Sequence, residues 1–314
     1  MTKKPKVTIL GSFVVDLMAR TPHLPIPGET VKGSMFRIGS GGKGTNQGIA
    51  ASRTGSDVSM ITKIGKDDFS EIAVNSFKNE GMDCSYLYQD PDSSTGTALI
   101  MVDEISSQNS IVVTLGACEK ITPSEIENGR QAIEKADVFL VQLETNVDAV
   151  EYAIRLASNA GVKVILNPAP VQPLSDDLLA NVKILIPNEI EAGTLAGFDL
   201  RSEGDIQLAA QKLVDKGIES VIITLGERGA IVATKETMER INAFNVTVVD
   251  TTGAGDAFCG AFATAYAEGK DILNAARFAS AAAALSVTRI GTAPSMPYRC
   301  EVEDFLFNHP KGEL

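Results

Sequence analysis

The stretch Val248-Val249-Asp250-Thr251-Thr252-Gly253-Ala254-Gly255-Asp256-Ala257-Phe258 decides the reading of this chain. Its pattern predicts the end of a strand, a turn of small residues and the start of a helix. Onward to Ala267 the residues are mostly Ala, Phe and Gly, with Thr and Tyr, which fits a buried helix. The backbone N–H groups of Gly253, Ala254 and Gly255 carry little side chain around them, and a helix N-terminus adds partial charge that favours an anion. Asp256 would repel that anion unless chemistry needs a carboxylate there. A base that takes a proton from a hydroxyl attacking a phosphoryl group is such a need. The plain alternative is an acid in the first turn of a helix, where acids are favoured anyway.

Working outward, strands and helices alternate. Val7 to Gly11, Val58 to Ile64, Asp137 to Leu143, Val162 to Leu166, Val182 to Ile186, Ser220 to Leu225, Ala230 to Thr234 and Ile241 to Val249 read as strands. Asp67 to Asn79, Ile121 to Lys135, Val147 to Asn159, Glu203 to Lys216, Gly255 to Glu268 and Ile272 to Thr288 read as helices. This order implies an α/β fold, a doubly wound and Rossmann-like parallel sheet. Thr21 to Gly28 holds three prolines and reads as an extended connection, with Val31 to Ile38 a candidate edge strand. Thr95 to Val102 and Ser110 to Leu115 form a hairpin signal that is out of place in a βα chain and suggests a small β-sheet lid. Residues 1–314 are expected to form one domain, with the lid inserted from roughly 17–38 and 95–116.

Polar residues cluster after the expected strand ends: Asp16, Glu144, Asn188 with Glu191, Thr224 with Gly226, and Asp250 to Asp256. In an open parallel sheet these ends share the edge where ligands bind. Any one of them reads as a cap or turn residue, but five on one edge are hard to explain that way.

Composition narrows the function classes. The chain has 314 residues, a formal charge of -12 and 44% hydrophobic residues, as an ordinary globular protein does. Such acidity disfavours general binding to nucleic acid or anionic membrane. No apolar run reaches the ~18 residues that a membrane span needs. Cys84, Cys118, Cys259 and Cys300 are widely spaced, which suits free thiols in a reducing cytoplasm. With only His23 and His309, a histidine metal site or a Ser-His-Asp triad is not expected.

Gly39, Gly41 and Gly44 spell G-x-G-x-x-G. A dinucleotide site, and with it an NAD-dependent dehydrogenase, would want this motif directly after the first strand, with an acid closing the second. Here a Pro-rich excursion precedes it, and the next strand ends in Gly65. A P-loop fails too, because Gly44 follows Lys43 and Arg37 stands where the first glycine belongs. A polar small-molecule pocket, with Lys43 and Asn46 pointing into it, fits better.

Gly41-Gly42-Lys43-Gly44-x-Asn46 and Asp250-Thr251-Thr252-Gly253-Ala254-Gly255-Asp256 resemble the two signatures of the ribokinase family, the PfkB-type carbohydrate kinases. Asn167-Pro168-Ala169-Pro170, Asn188-x-x-Glu191, Thr224-Leu225-Gly226 and Val287-Thr288-Arg289-x-Gly291 are also similar to that family, in order along nearly the whole chain. The resemblance implies ATP-dependent phosphorylation of a sugar hydroxymethyl group. It implies that Asp16, Gly42, Lys43, Asn46 and Glu144 hold the sugar, that Asp256 is the base, and that the N–H groups of Gly253, Ala254 and Gly255 stabilise the transferring phosphoryl group. It further implies Asn188 and Glu191 on Mg²⁺ through water, and Thr224, Gly226, Gly255 and Ser280 along the nucleotide. Asp250, Thr252, Ser286, Arg289, Gly291 and Ser295 match a monovalent-cation site, usually potassium. A homodimer through the lid is implied as well.

Two departures from the family pattern matter. Ribokinases carry Asn where Val14 stands, facing the sugar's 2-hydroxyl. Valine neither donates nor accepts a hydrogen bond, so 2-deoxyribose is expected to suit this pocket; the other reading has Val14 off the sugar, with Asp16 or water on the hydroxyl. Cys118 stands where relatives have Asn at the base of the lid. Competing substrates are another sugar, a phosphosugar met by Arg20, Lys32 or Arg37, or a nucleoside stacked on Phe13 or Phe36. A non-catalytic sugar sensor would not need Asp256.

Overall fold

The computed structural model describes residues 3–106 and 108–309. The main sheet is nine-stranded, in the order β13-β12-β11-β10-β9-β8-β1-β4-β5. Its strands are β1 (Lys6–Leu10), β4 (Asp57–Gly65), β5 (Leu87–Asp90), β8 (Val138–Val141), β9 (Lys163–Leu166), β10 (Ile184–Leu185), β11 (Ser220–Thr224), β12 (Ala230–Thr234) and β13 (Met238–Ile241). All pairings from β5 across to β11 are parallel, and β12 and β13 add on antiparallel. The sequence runs outward from β1 to β4 on one side and continues from β8 on the other. The switch point therefore lies between β1 and β8, where a crevice opens at the strand C-termini.

Alternation along the strands explains the two faces. In β8, Val138 and Leu140 enter one core while Phe139 and Val141 enter the other, and in β12 Val232 and Ile231 divide in the same way. One face is covered by α1 (Lys43–Thr54), α2 (Ser70–Asn79), α9 (Ala254–Ala267), α10 (Ile272–Ser286) and α11 (Arg299–Asn308). The other is covered by α3 (Pro123–Asn128), α4 (Arg130–Glu134), α5 (Val147–Asn159), α6 (Asp176–Leu179), α7 (Glu189–Ala196) and α8 (Glu203–Asp215). Strands buried on both faces read as continuous apolar runs. Among the described residues no helix is long and apolar enough to cross a membrane.

A second, four-stranded sheet stands apart, in the order β3-β2-β6-β7. It consists of β2 (Val14–Thr21), β3 (Met35–Gly41), β6 (Gly96–Asp103) and β7 (Asn109–Thr114). β6 and β7 form the expected hairpin. The edge strand expected at Val31 to Ile38 begins instead at Met35 and runs on to Gly41, paired with β2.

Three expectations need correction. Ile121 to Lys135 is two helices, divided at Gly129. Asp16 lies inside β2 rather than after a strand of the main sheet. Ile241 to Val249 is not a strand beyond Ile241: the Val249 and Asp250 N–H groups both donate to the Val287 carbonyl at the end of α10, so this backbone is tied to a helix end instead of a sheet edge.

Candidate active site

Asp256 sits in the first turn of α9 and is buried. Gly253 caps that helix at φ 80, a left-handed conformation that glycine adopts without strain. Further along, a Cβ at Gly260 would come within 2.3 Å of the Gln47 carbonyl oxygen, so only glycine lets α9 lie this close to α1. That approach brings the Asp256 carboxylate onto the side chains of α1. Asn46 Nδ2 donates to Asp256 Oδ2 and Gln47 Nε2 to Asp256 Oδ1, each at 3.0 Å. A buried carboxylate needs such partners.

On one side of Asp256 lies the second sheet. Pleating of β2 turns Val15 and Leu17 toward the main core, so Val14 and Asp16 share the opposite face. Val14 is buried, yet it belongs to neither hydrophobic core. Thr292 donates to Asp16 Oδ2 at 3.1 Å. Burial pushes the Asp16 carboxyl up to about 6; the Thr292 bond opposes this, while the charges of Glu144 and Asp256 add to it. Glu144 follows β8 and accepts from Ser12 Oγ at 2.6 Å and from the Lys43 N–H at 2.9 Å. Both bonds fall on Oε2. Gly42 is the N-cap of α1. The Oδ1 of Asn46 is buried and has no partner, which is an acceptor awaiting a donor.

On the other side is a cavity of about 210 Å³, lined by Lys43, Asn188, Glu191, Thr224, Gly253, Gly255 and Asp256 among others. Nothing lies within 4 Å of where a Cβ on Gly255 would point, so the α9 N-terminus opens on free space. The N–H groups in that first turn have no intrahelical acceptor, although the one on Ala254 reaches back to the Thr251 carbonyl at 3.3 Å. The Lys43 ammonium is held above its ordinary range, mainly by Asp256. Asn188 and Glu191 form a capping box at the start of α7: the Glu191 N–H donates to Asn188 Oδ1 at 2.9 Å, and the Asn188 N–H to Glu191 Oε2 at 2.8 Å. The plain cap is thus real, and both residues still line the cavity. Burial pushes the Glu191 carboxyl up.

Beside this cavity the chain closes a loop. Asp250 accepts from the N–H groups of Thr252 and Gly291, both at 2.9 Å. Burial pushes the Asp250 carboxyl up, but these bonds outweigh it and hold it below its ordinary value. Arg289 pairs with Glu301, and the hydroxyls of Ser286 and Ser295 donate to the carbonyls of Ala283 and Thr292. Gly226 opens a short 3-10 turn after β11, and Ser280 lies buried midway along α10; neither lines the cavity.

The site also uses residues that no motif singled out. Ser12, Gln47 and Thr292 hold the charged groups named above, and Gln142 holds Gln47, through bonds that span up to 276 residues of sequence. Cys118 is fully buried, accepts from the Phe13 N–H at 3.3 Å and has its thiol 3.2 Å from both the Phe13 and the Lys63 carbonyl oxygens. Burial above all pushes that thiol up to about 11. Cys118 therefore clamps the backbone one residue before Val14.

A family model described as pfkB family carbohydrate kinase matches residues 4–299. The chain belongs to that family. This carbohydrate kinase is 43% identical to a ribokinase of Haemophilus influenzae, over 96% of this chain and 98% of that one. It is 37% identical to a deoxyribokinase of Salmonella typhi, again over 96% and 98%. Its structure superposes on that of Arabidopsis thaliana ribokinase complexed with ribose and ATP with a TM-score of 0.88, at 29% identity, covering 97% of this chain and 99% of that one. The kinase thus has the ribokinase-like fold with a small β-sheet lid. The dinucleotide reading falls with it: Gly39 and Gly41 lie in β3, a strand of the lid.

Proposed function

We propose that this kinase phosphorylates the 5-hydroxymethyl group of a pentose with ATP, and that it prefers 2-deoxy-D-ribose to D-ribose. The observation that carries the proposal is the position of Asp256. It lies between a face bearing Val14 and Asp16 and a cavity at the α9 N-terminus. A sugar on the first side and a triphosphate on the second would meet at this carboxylate. The most similar proteins named above include both a ribokinase and a deoxyribokinase.

In this reading Asp16, Gly42, Lys43, Asn46 and Glu144 hold the sugar. Among the described residues Glu144 Oε1 makes no hydrogen bond and the buried Asn46 Oδ1 is unpartnered, so both acceptors are left for sugar hydroxyls. Asp256 takes the proton from the attacking hydroxyl. The N–H groups of Gly253, Ala254 and Gly255 face the charge that develops on the phosphoryl oxygens, with the Ala254 group leaving Thr251 to do so. Thr224 lines the cavity that takes the triphosphate, while Gly226 and Ser280, outside it, are assigned in this reading to the rest of the nucleotide.

Asn188 and Glu191 suit Mg²⁺ held through water, because each carboxylate oxygen keeps a free lone pair beside its capping bond. When bound, that ion neutralises phosphate charge. In this reading Asp250, Thr252, Ser286, Arg289, Gly291 and Ser295 supply oxygens to a K⁺ ion, Arg289 through its carbonyl because a guanidinium is itself a cation without an acceptor.

A nucleoside substrate is less well supported. Phe13 is buried edge-on against Phe77, and Phe36 points out to solvent. ADP release with Mg·ATP and K⁺ tests the proposal. The expected result is turnover of both pentoses, with kcat/KM higher for 2-deoxyribose; loss of turnover when choline replaces K⁺ tests the cation loop. Preference for ribose would overturn the Val14 argument.

Asp16 makes a pH signature. Its carboxyl is raised to about 6, so acidification through that value protonates it and weakens its acceptance of sugar hydroxyls. KM for the sugar is expected to rise about tenfold between pH 7 and pH 5, because only the ionised fraction binds well. KM for ATP should follow a different profile. A flat KM for the sugar over this range would remove Asp16 from sugar binding.

The lid has a second consequence. Ile38, Leu17, Leu99 and Val112 stand in register across its four strands. Ile38, Leu99 and Val112 are each more than half exposed, an apolar patch of the kind that interfaces cover. A homodimer joined through these sheets covers it. Sedimentation should show a dimer for the natural chain and a monomer for Leu99→Glu; a monomer for both would exclude the interface.

A further inference from the structure

Asp256 is held by a chain of carboxamides, of which Gln47 and Gln142 lie out of reach of any substrate and only Asn167 forms part of the cavity wall. Gln142 follows β8 and, like Gln47, is fully buried. Gln142 Nε2 donates to Gln47 Oε1 at 2.6 Å. Gln47 Nε2 then donates both to Asp256 Oδ1 and to Asn167 Oδ1, at 3.0 Å each. Asn167 Nδ2 donates onward to the Ile186 carbonyl at 2.8 Å. Gln47 thus spends both amide hydrogens on acceptors and its oxygen on a donor, so its orientation is fully determined. The chain runs beneath the cavity from the end of β8, through α1, to the backbone just after β10. It is anchored to sheet strands, whose backbones are fixed by their neighbours.

We propose that Gln47 is a positioning residue for phosphoryl transfer. Its carboxamide, itself oriented by Gln142, fixes the rotation of the Asp256 carboxylate so that the free lone pairs face the attacking hydroxyl. Asn46 grips the other oxygen but also offers its own Oδ1 to the sugar, so its bond to Asp256 must coexist with substrate contacts. Gln47 has no such second task and stays fixed through the cycle. The inference rests on Asp256 being the base. A purely structural Gln47 would only satisfy the buried charge of Asp256, and its loss would then lower stability while leaving kcat of the folded enzyme unchanged.

The test is a double-mutant cycle read by ADP release. Gln47→Met keeps the length of the side chain and removes its hydrogen bonds. In the otherwise natural enzyme it should lower kcat roughly 10- to 100-fold, the scale of a misplaced reacting group, with KM for sugar and ATP within about threefold. In the Asp256→Asn background it should change kcat by less than about twofold, because residues that act as a unit are non-additive. An equal loss in both backgrounds, or an effect confined to KM, overturns the positioning role. Retained kcat in Asp256→Asn alone would instead overturn the base itself, and that single variant separates the two failures. Should Gln47→Met not fold, Gln142→Met carries the same comparison one bond further away. There the expected loss is roughly three- to tenfold, again only where Asp256 is present.

Discussion

Asp256→Asn is expected to lower kcat by about 10²-fold or more, the usual scale for a lost general base, with KM for sugar and ATP changed little. Asp256 is only 7% exposed and its carboxylate is gripped by two carboxamide donors. Asparagine matches its shape, so the packing of α9 against α1 persists. One of its two terminal groups becomes an NH₂ facing an NH₂ donor, which removes one hydrogen bond and costs about 1–3 kcal/mol. Removing the buried negative charge relieves its repulsion with Asp16 and forfeits its attraction for the Lys43 ammonium, two effects of opposite sign. The folded protein should therefore melt only a few degrees lower by calorimetry. An unchanged kcat would exclude Asp256 as the base, and an unfolded variant would show that the carboxylate serves the core.

Much of this arrangement is legible in the amino-acid sequence itself. The helix Val147–Asn159 and the strand Ala230–Thr234 fall where their apolar patterns end, the helix stopping just before Gly161. Ile241 to Val249 shows the limit of such patterns. Its Ile, Phe and Val content favours a strand, but propensity does not say whether a sheet edge is free, and after Ile241 the backbone finds the end of α10 instead. Asp16 misled in a similar way: its place after the first strand suggested a loop at the sheet edge, whereas β2 leaves the main sheet altogether to build the lid.

The site divides along the same line. Gly253 to Asp256 and Asn188 with Glu191 are local in sequence, so spacing reveals them, even though the second pair doubles as a helix cap. Gln47 and Gln142 carry no such spacing signal. A buried glutamine is recognised only by its partners, and these lie 95 and 209 residues apart in the chain. Cys118 is the same kind of case: it reads as a small core residue, yet its thiol secures the backbone that presents Val14.

Val14→Asn should move the ratio of kcat/KM for ribose over 2-deoxyribose toward ribose by about 5- to 150-fold, which corresponds to the 1–3 kcal/mol cost of an unpaired buried polar group. Val14 begins β2 opposite Gly41 and Gly96, and Gly96 leaves the room that its side chain fills. Asp16, two residues on, shares its face and approaches Glu144 and Asp256 closely enough to feel their charge. In the proposed reading, a sugar held by those acids lies over Val14. With valine there, a 2-hydroxyl loses its water and gains nothing, whereas the methylene of 2-deoxyribose gains apolar contact. Asparagine reverses both terms, because it pairs with the hydroxyl and is itself left unpaired against the methylene. Both sugars keep the same attacking hydroxyl, so kcat should change less than KM. A ratio that does not move, in a variant that still turns over both sugars, would place Val14 away from the 2-position and leave the choice of pentose to other residues of the pocket.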